Sequence, residues 1–452
     1  MKGIVMFSKS LLRNLATASC ACSLLLSGCG GSSSSGAPVS SSSETSSLSR
    51  AMTPAVAATT EQAVVTAVNS LGRTLLGEGV GNAIVAPFSA SVSLARLRVG
   101  SAGASRTDLS ASLLLPTPVG EIDSAYNKLE LSISDRITSL TLDGQTSRSS
   151  SSGWIQARYG YLLTYLDTLA LNYGVKPART DFAADQYGST ALINSWAAQA
   201  SGGLISSFAT YQNCRLALGD AVRLNALWLE PFDATLNQTD LFQRLDGSYT
   251  ETLFLRKSGL IRQSTGSGYQ ALELPLTGND LRLLIILPDE GSFAAVKSAL
   301  TANRLNEIAA AMTTTPMDLK LPIFSIESEQ PLLLNASATT ANIADFSAVD
   351  STKDLYVSAS LQRSRLSISA GGIKAGAATL IALDDAHPET WTNPYDNGFG
   401  YDSSFIFISG GTNYYSFPDT IPVSVGRPFI FALRDSVTGV ILFLGQVVDP
   451  TK

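Results

Sequence analysis

Residues 426–450 read GRPFIFALRDSVTGVILFLGQVVDP and carry the clearest structural signal of the chain. Two apolar runs, RPFIFALRD and VILFLGQVV, flank the short segment SVTG. Runs rich in β-branched and aromatic residues that are separated by a turn predict two neighbouring antiparallel strands. We therefore expect the chain to end in a strand–turn–strand pair.

Strand-like runs continue towards the N-terminus as far as residue 214. They read RLALGDAVRLNALWL, QALELPL, LRLLIILP and MDLKLPIFSIES, with one helical pattern at about 292–312 between them. The first half of the chain has apolar residues at helical spacing instead. The helices are predicted at about 62–77, 87–100, 105–115, 121–131, 161–174 and 189–208. Helices followed by strands, without regular alternation, predict an α+β fold with mainly antiparallel sheets.

Residues 369–383, SAGGIKAGAATLIAL, have small side chains at their centre and apolar residues at every second position. Alternation predicts a strand, although glycine and alanine are weak strand formers. The alternating row is Ile373, Ala375, Ala377, Thr379, Ile381 and Leu383. A long irregular segment, 384–426, follows, and loops of this length are usually functional or disordered.

The first sixty residues predict an exported, membrane-anchored protein. Residues 1–28 combine basic residues with an apolar run, which is typical of a secretory signal, and the run is too short to span a bilayer. The ending LSGC resembles a bacterial lipobox, which implies cleavage before Cys29 and a lipid on its sulfur. Residues 29–60 then form a Ser/Gly-rich tether. We expect a cell-envelope lipoprotein, in the periplasm or at the cell surface, that contacts the membrane only through its lipid.

Composition excludes several classes of function. The net charge of −6 and the absence of a basic patch argue against a nucleic-acid partner. The chain has a single histidine, His387, and one cysteine after the lipobox, Cys214. These residues cannot build a zinc site of the usual kind, and the chain has no nucleotide-binding or hydrolase motif. We therefore expect no metal, no cofactor and no enzymatic activity.

The C-terminal run resembles the closing signature of the serpins. Matching segments occur in the correct order throughout residues 61–450, and they are NAIVAPFSASVSLARLRVGSAGASRTDL, INSWAAQASGGLI, LWLEPFD, LELPLTGNDLRLLIILP, LPIFSIES, ADFS and LYVS. The resemblance implies that residues 61–452 form a monomeric serpin domain. It also implies three β-sheets, eight or nine helices and an exposed reactive loop at about 370–426, with an insertion at about 388–417.

In serpins the reactive loop is bait for a protease. After attack, the front half of the loop inserts into the central sheet as a new strand and drags the acyl-linked protease along. The resemblance places the hinge of this loop at Gly372, Ile373, Lys374, Ala375, Gly376, Ala377, Ala378 and Thr379. Small, uncharged side chains suit a strand that must slip between paired strands, because a buried unpaired charge is costly. The alternating row would face inward, with Lys374 and Asp384 on the outward face.

Some positions depart from the family pattern. Ala370 replaces a common acidic residue, and Ile373 replaces a small hydroxyl residue, which we expect to slow insertion rather than block it. Family spacing places the scissile bond at Ala386–His387. The polar cluster where the strands part to admit the loop maps to Ser89, Asp220 and Gln362, and Asp220 and Gln362 are expected to be able to hydrogen-bond each other.

Two functions remain open at this stage. No lysine or arginine lies between Lys374 and Arg427, which disfavours a trypsin-like target. The first hypothesis is therefore an inhibitor of an elastase-, chymotrypsin- or subtilisin-like serine protease, or of a cysteine protease. The alternative is a non-inhibitory binding module that uses the aromatic residues of the long loop, namely Trp391, Tyr395, Phe399, Tyr401, Phe405, Phe407, Tyr414, Tyr415 and Phe417.

Overall fold

Helices occupy most of the first half of the chain. The computed structural model describes residues 45–115, 121–205, 207–208, 213–332, 336–386 and 420–452. The helices in these ranges are α1 (Ala58–Leu76), α2 (Pro87–Gly100), α3 (Gly103–Ser112), α4 (Ile122–Thr138), α5 (Leu163–Tyr173), α6 (Gln186–Ser201), α7 (Phe293–Ser298), α8 (Ala302–Ala310), α9 (Ala336–Thr339) and α10 (Ser347–Asp350), with a 3₁₀ turn at Ala234–Leu236.

Strands dominate the second half. They are β1 (Ala83–Val85), β2 (Thr141–Leu142), β3 (Gln145–Thr146), β4 (Arg148–Gln156), β5 (Ala178–Thr180), β6 (Cys214–Leu227), β7 (Gln238–Gln243), β8 (Tyr249–Gly266), β9 (Tyr269–Pro275), β10 (Leu281–Pro288), β11 (Thr313–Pro322), β12 (Ser325–Pro331), β13 (Leu355–Ile368), β14 (Gly372–Asp385), β15 (Ile421–Ser424), β16 (Phe429–Asp435) and β17 (Ile441–Val447).

The predicted α+β class is confirmed, and the described strands form three hydrogen-bonded sheets. A nine-stranded sheet has the order β1-β17-β16-β10-β9-β8-β11-β15, with β7 paired to β8. A six-stranded sheet has the order β12-β13-β14-β6-β4-β5, and β2 and β3 form a third, small sheet. The C-terminal pair lies where the sequence predicts it: β16 and β17 are antiparallel neighbours, and Gly439 adopts a φ of 82° in their connecting turn.

One prediction about the helices needs correction. The pattern at 292–312 is two helices rather than one, because Thr301 caps α8 by accepting a hydrogen bond from the backbone N–H of Arg304. The described residues hold ten α-helices, of which α9 and α10 have only four residues each, and this number is consistent with the predicted fold. Among the described residues no helix is long and apolar enough to cross a membrane.

Helix α2 is the central element of the core. Every residue from Pro87 to Gly100 is buried, and Pro87 occupies the first turn, where a missing N–H is tolerated. The helix contacts β6 and β14 of the six-stranded sheet and β17 of the nine-stranded sheet. This position explains why its sequence lacks a polar face, and it places Ser89 against the middle of the six-stranded sheet.

Candidate functional site

The segment predicted to be an exposed hinge is the strand β14, in the middle of the six-stranded sheet. It runs antiparallel to both neighbours, from Gly372 opposite Leu227 of β6, and pairs with β13 from Ile373 to Asp385. The expectation of an exposed loop is therefore wrong for residues 372–385 in this structure. These residues are a paired strand of the sheet.

The inward row of β14 is as predicted. Ile373, Ala375, Ala377, Ile381 and Leu383 are fully buried and belong to the main hydrophobic core, and Thr379 is also fully buried. The opposite face differs from the prediction. Helix α6 covers it, so that Ala378, Leu380 and Ala382 are fully buried as well.

Helix α6 and the residues after it explain why the outward face of β14 is small. A Cβ atom on Gly376 would lie 2.7 Å from Cδ1 of Leu204 and 3.2 Å from the carbonyl oxygen of Ser201. The sequence carried a signal for this second buried face. Residues 375–383 are apolar or small at both alternating positions, which is typical of a strand buried on both sides.

The charged residues of β14 lie at its two ends. Lys374 is half-buried and its Nζ lies 2.7 Å from a carboxylate oxygen of Asp143. Asp384, at the far end, is half-buried, and burial raises the pKa of its carboxyl group. The charges predicted to face outward thus lie at the margins of the buried region.

The two positions that depart from the family pattern are both accommodated. Ile373 is fully buried and lies opposite Ala226, a small neighbour. Ala370 lies in the tight connection between β13 and β14, and its carbonyl oxygen accepts a hydrogen bond from the backbone N–H of Phe232. Gly372 is required at the start of β14, because a side chain there would overlap the carbonyl oxygen of Ala226.

The three predicted polar residues at the strand-opening region meet around Thr379. Gln362 of β13, Thr379 of β14 and Asp220 of β6 lie side by side in the sheet. The Nε2 group of Gln362 donates to Oγ1 of Thr379 at 2.9 Å, and Oγ of Ser89 lies 3.1 Å from the same oxygen. Gln362 and Asp220 are not hydrogen-bonded to each other, contrary to the expectation, because β14 lies between them.

Gln362 also holds the start of helix α2. Its Oε1 accepts from the backbone N–H of Ala86 at 2.8 Å, and its Nε2 donates to the carbonyl oxygen of Ala86 at 2.9 Å. Because Gln362 is fully buried, these bonds satisfy polar groups that water cannot reach. The side chain joins the central helix, β13 and the inserted strand.

Asp220 belongs to a buried charge network that sequence reasoning missed. Its carboxylate lies 3.2 Å from the guanidinium of Arg96 and accepts a hydrogen bond from Ser151 at 2.7 Å. Ser151 is also 3.2 Å from Glu130, which pairs with Arg50 at 2.8 Å. Burial raises the pKa of both carboxyl groups, and the nearby guanidinium groups oppose that shift. The sequence signal was Arg96, an arginine in a helix whose residues are mostly small or apolar.

The predicted scissile bond lies at the boundary of the described residues. Ala386 directly follows β14, and its backbone N–H donates a hydrogen bond to the carbonyl oxygen of Asp354 at 2.7 Å. His387, the insertion at 388–417 with its aromatic residues, and Cys29 all lie outside the described residues. In the described ranges no three His, Cys, Asp or Glu side chains are grouped so that they could hold a metal ion.

A family model described as "Serpin (serine protease inhibitor)" matches residues 66–450. The chain belongs to the serpin family. A serpin-like protein of Thermococcus kodakarensis is 27% identical over 399 residues, which are 86% of each chain. Leukocyte elastase inhibitor A of Mus musculus is 25% identical over 390 residues, covering 82% of this chain and 93% of the relative. The solved structure of cleaved Serpin 42Da matches this serpin with a TM-score of 0.71 at 22% identity, covering 86% of this chain and 98% of the other.

Proposed function

We propose that this serpin inhibits proteases by suicide-substrate trapping, with residues 372–385 as the strand that inserts after cleavage. The observation that carries the proposal is the complete pairing of β14 with β13 and β6. Trapping needs an inserted state in which the loop is stable, and here both faces of the strand are buried without an unpaired charge in the interior. Leukocyte elastase inhibitor A, a relative, is an inhibitor by name.

The position of Ala386 supports the predicted scissile bond. Pairing with β13 ends at Asp385, so that cleavage after Ala386 would release the whole paired segment for insertion. No lysine or arginine lies between Lys374 and Arg427. The targets we propose are therefore elastase-, chymotrypsin- or subtilisin-like serine proteases, or a cysteine protease of similar preference, rather than trypsin-like enzymes.

The test is covalent complex formation. Incubation with elastase- and subtilisin-type proteases should give an SDS-stable complex, with the loop cut at Ala386–His387. An Ala377→Arg variant should be cleaved without forming the complex, because the arginine would be buried in the core on insertion. Lys374→Gln is the matched control on the same strand, and it should still trap the protease. Cleavage without a complex in both the native protein and the control would refute inhibition and leave the binding module, with its aromatic loop, as the function.

We also propose that the protein is a lipoprotein anchored in a bacterial envelope through Cys29. The lipobox-like LSGC and the Ser/Gly-rich tether support this placement. Labelling with a fatty acid in a bacterial host should depend on Cys29, so that Cys29→Ser abolishes the label and releases the protein from the membrane fraction. Labelling that persists in Cys29→Ser would refute the anchor.

A further inference from the structure

Three arginines surround one buried glutamate on four neighbouring strands of the nine-stranded sheet. The side chain of Glu273 in β9 is fully buried. Its carboxylate accepts hydrogen bonds from Arg262 of β8, Arg282 of β10 and Arg434 of β16. The last two bonds measure 3.0 and 3.1 Å. Within the described ranges no second acidic side chain lies within ion-pair distance of these arginines, so that three guanidinium charges face one carboxylate.

The pairing of the strands brings these charges together. Arg262 lies directly opposite Glu273, and Arg282 lies directly opposite Arg434. Residues directly opposite on antiparallel strands have Cβ atoms about 5 Å apart, and like charges in this arrangement destabilise the sheet. The single carboxylate of Glu273 balances only part of the positive charge. A second anion at this place would therefore be stabilised by the charges that Glu273 leaves unbalanced.

The arginines also keep hydrogen-bond donors that the described residues do not use. A guanidinium group has five N–H donors. Arg434 donates to described residues only from Nε, and Arg262 and Arg282 each donate from two nitrogens. The three arginine side chains are 13–34% exposed. None of their nitrogens is both buried and without a partner, so the unused N–H groups face solvent.

We propose that the cluster of Arg262, Arg282 and Arg434 around Glu273 binds an oxyanion of the phosphate class. Guanidinium groups bind phosphate oxygens through paired, charge-assisted hydrogen bonds. Glu273 holds the three groups in place from the buried side, and the phosphate accepts from the N–H groups on the solvent side. The phosphate is either free in solution or part of a lipid headgroup. This inference is independent of the proposed inhibition, because the cluster belongs to the nine-stranded sheet and β14 belongs to the other large sheet.

Phosphorus NMR of inorganic phosphate, titrated with the full chain at constant ionic strength, tests the site. The native chain should bind one phosphate saturably. Arg282→Gln and Arg434→Gln should each weaken binding by about tenfold or more, because each removes a charged donor. Arg304→Gln is the matched control in the exposed pair with Glu307, and it should bind as the native chain does. The absence of saturable binding, or equal affinity in all four proteins, would overturn the proposal.

A second measurement needs no variant, which matters because the loss of an arginine leaves Glu273 buried with fewer partners. Phenylglyoxal modifies accessible arginines, and mass spectrometry locates the modified positions. Saturating phosphate should slow modification of Arg282 and Arg434 by about tenfold or more, whereas Arg304 should react at an unchanged rate. Modification of Arg282 and Arg434 that phosphate does not slow, or that it slows equally at Arg304, would overturn the proposal.

Vesicle sedimentation distinguishes the two sources of the phosphate. A Cys29→Ser chain is used, so that no lipid on Cys29 contributes to membrane binding. Sedimentation with phosphatidylglycerol vesicles but not with phosphatidylcholine vesicles, abolished by Arg282→Gln, would assign a lipid headgroup. Phosphate binding in solution without such sedimentation would assign free phosphate. Sedimentation that persists in Arg282→Gln, together with no binding of inorganic phosphate, would overturn the site altogether.

Discussion

Replacement of Gln362 by leucine should destabilise the form in which β14 is paired in the sheet by about 4 kcal/mol. Gln362 is fully buried and hydrogen-bonds the N–H and C=O groups of Ala86 and the hydroxyl of Thr379. Leucine fills a similar volume but forms none of these bonds. The carbonyl oxygen of Ala86 retains the helical bond from Ala90, and Thr379 retains Ser89, so that only the N–H of Ala86 loses every partner.

The magnitude follows from this inventory. A buried N–H group without a partner costs about 1–3 kcal/mol, and each of the other two lost bonds contributes about 0.5–1.5 kcal/mol. These contributions add to about 2–6 kcal/mol, centred near 4 kcal/mol. Guanidinium unfolding of the protease-cleaved protein, monitored by circular dichroism, measures the change against the native sequence.

A double-mutant cycle isolates the bond that exists only when β14 is inserted. Thr379→Val removes the other partner while keeping the shape, and Gln362→Leu with Thr379→Val completes the cycle. We expect a coupling energy of about 0.5–1.5 kcal/mol in the cleaved protein. The parallel cycle of Ser89→Ala with Thr379→Val is the control for the second bond to Thr379. A coupling energy of zero between Gln362 and Thr379 would refute the central role that we give to this row.

Three further predictions concern the same region. Arg50→Met should lower the free energy of unfolding by about 2 kcal/mol near pH 8 and by less near pH 5, because Glu130 would lose its partner. Burial raises the pKa of the Glu130 carboxyl group above its value in the unfolded chain, so protonation favours the folded state and the stability contributed by Glu130 falls as pH rises through the raised pKa. Removal of Arg50 raises the folded-state pKa further, so that this loss of stability extends to higher pH. Arg304→Met, in an exposed pair, is the control, and a pH-independent loss in Arg50→Met would contradict the assignment. Gly376→Val should destabilise the cleaved protein by about 2 kcal/mol through overlap with Leu204. Gly371→Ala is the control and should not destabilise it, because the added Cβ would meet only Oγ of Ser369 at 3.9 Å. Equal melting temperatures of the two variants would disprove the packing argument. Ile373→Thr should lower the free energy of unfolding of the cleaved protein by about 1–3 kcal/mol because Ile373 is fully buried. Denaturant unfolding measures this change, and an unchanged midpoint would mean that the first residues of β14 are not packed in the core.

The sequence predicted those parts of the fold that local patterns determine. The pair β16–β17 followed from two apolar runs around SVTG, and α2 followed from Pro87 and the apolar residues after it. In contrast, the break between α7 and α8 depends on one cap at Thr301, which interrupts a pattern that is helical on both sides. The order of the matching family segments supplied the rest of the fold.

The site was predictable only in part, because its geometry depends on which strands pair. The alternation in residues 372–385 is the same whether or not the segment is paired in the sheet. It therefore identified the inward row but not whether the segment is a strand of the sheet. The expected bond between Asp220 and Gln362 failed for the same reason, since Thr379 separates them. The ion pairs Arg50–Glu130 and Arg96–Asp220 join distant parts of the chain, and no spacing in the sequence shows them.

Thr379 explains how a strand of small apolar residues can be held in one register. It is the only polar residue between Ala375 and Leu383, and it lies opposite Gln362 and Asp220, the polar positions of the two neighbouring strands. A shift by one residue would place Ala378 or Leu380 beside these groups and exchange the two faces of the strand. The hydrogen bonds of Thr379 with Gln362 and Ser89 would then be lost within a fully buried region. The polar row therefore selects the register, while the small residues around it allow α6 to close over the strand.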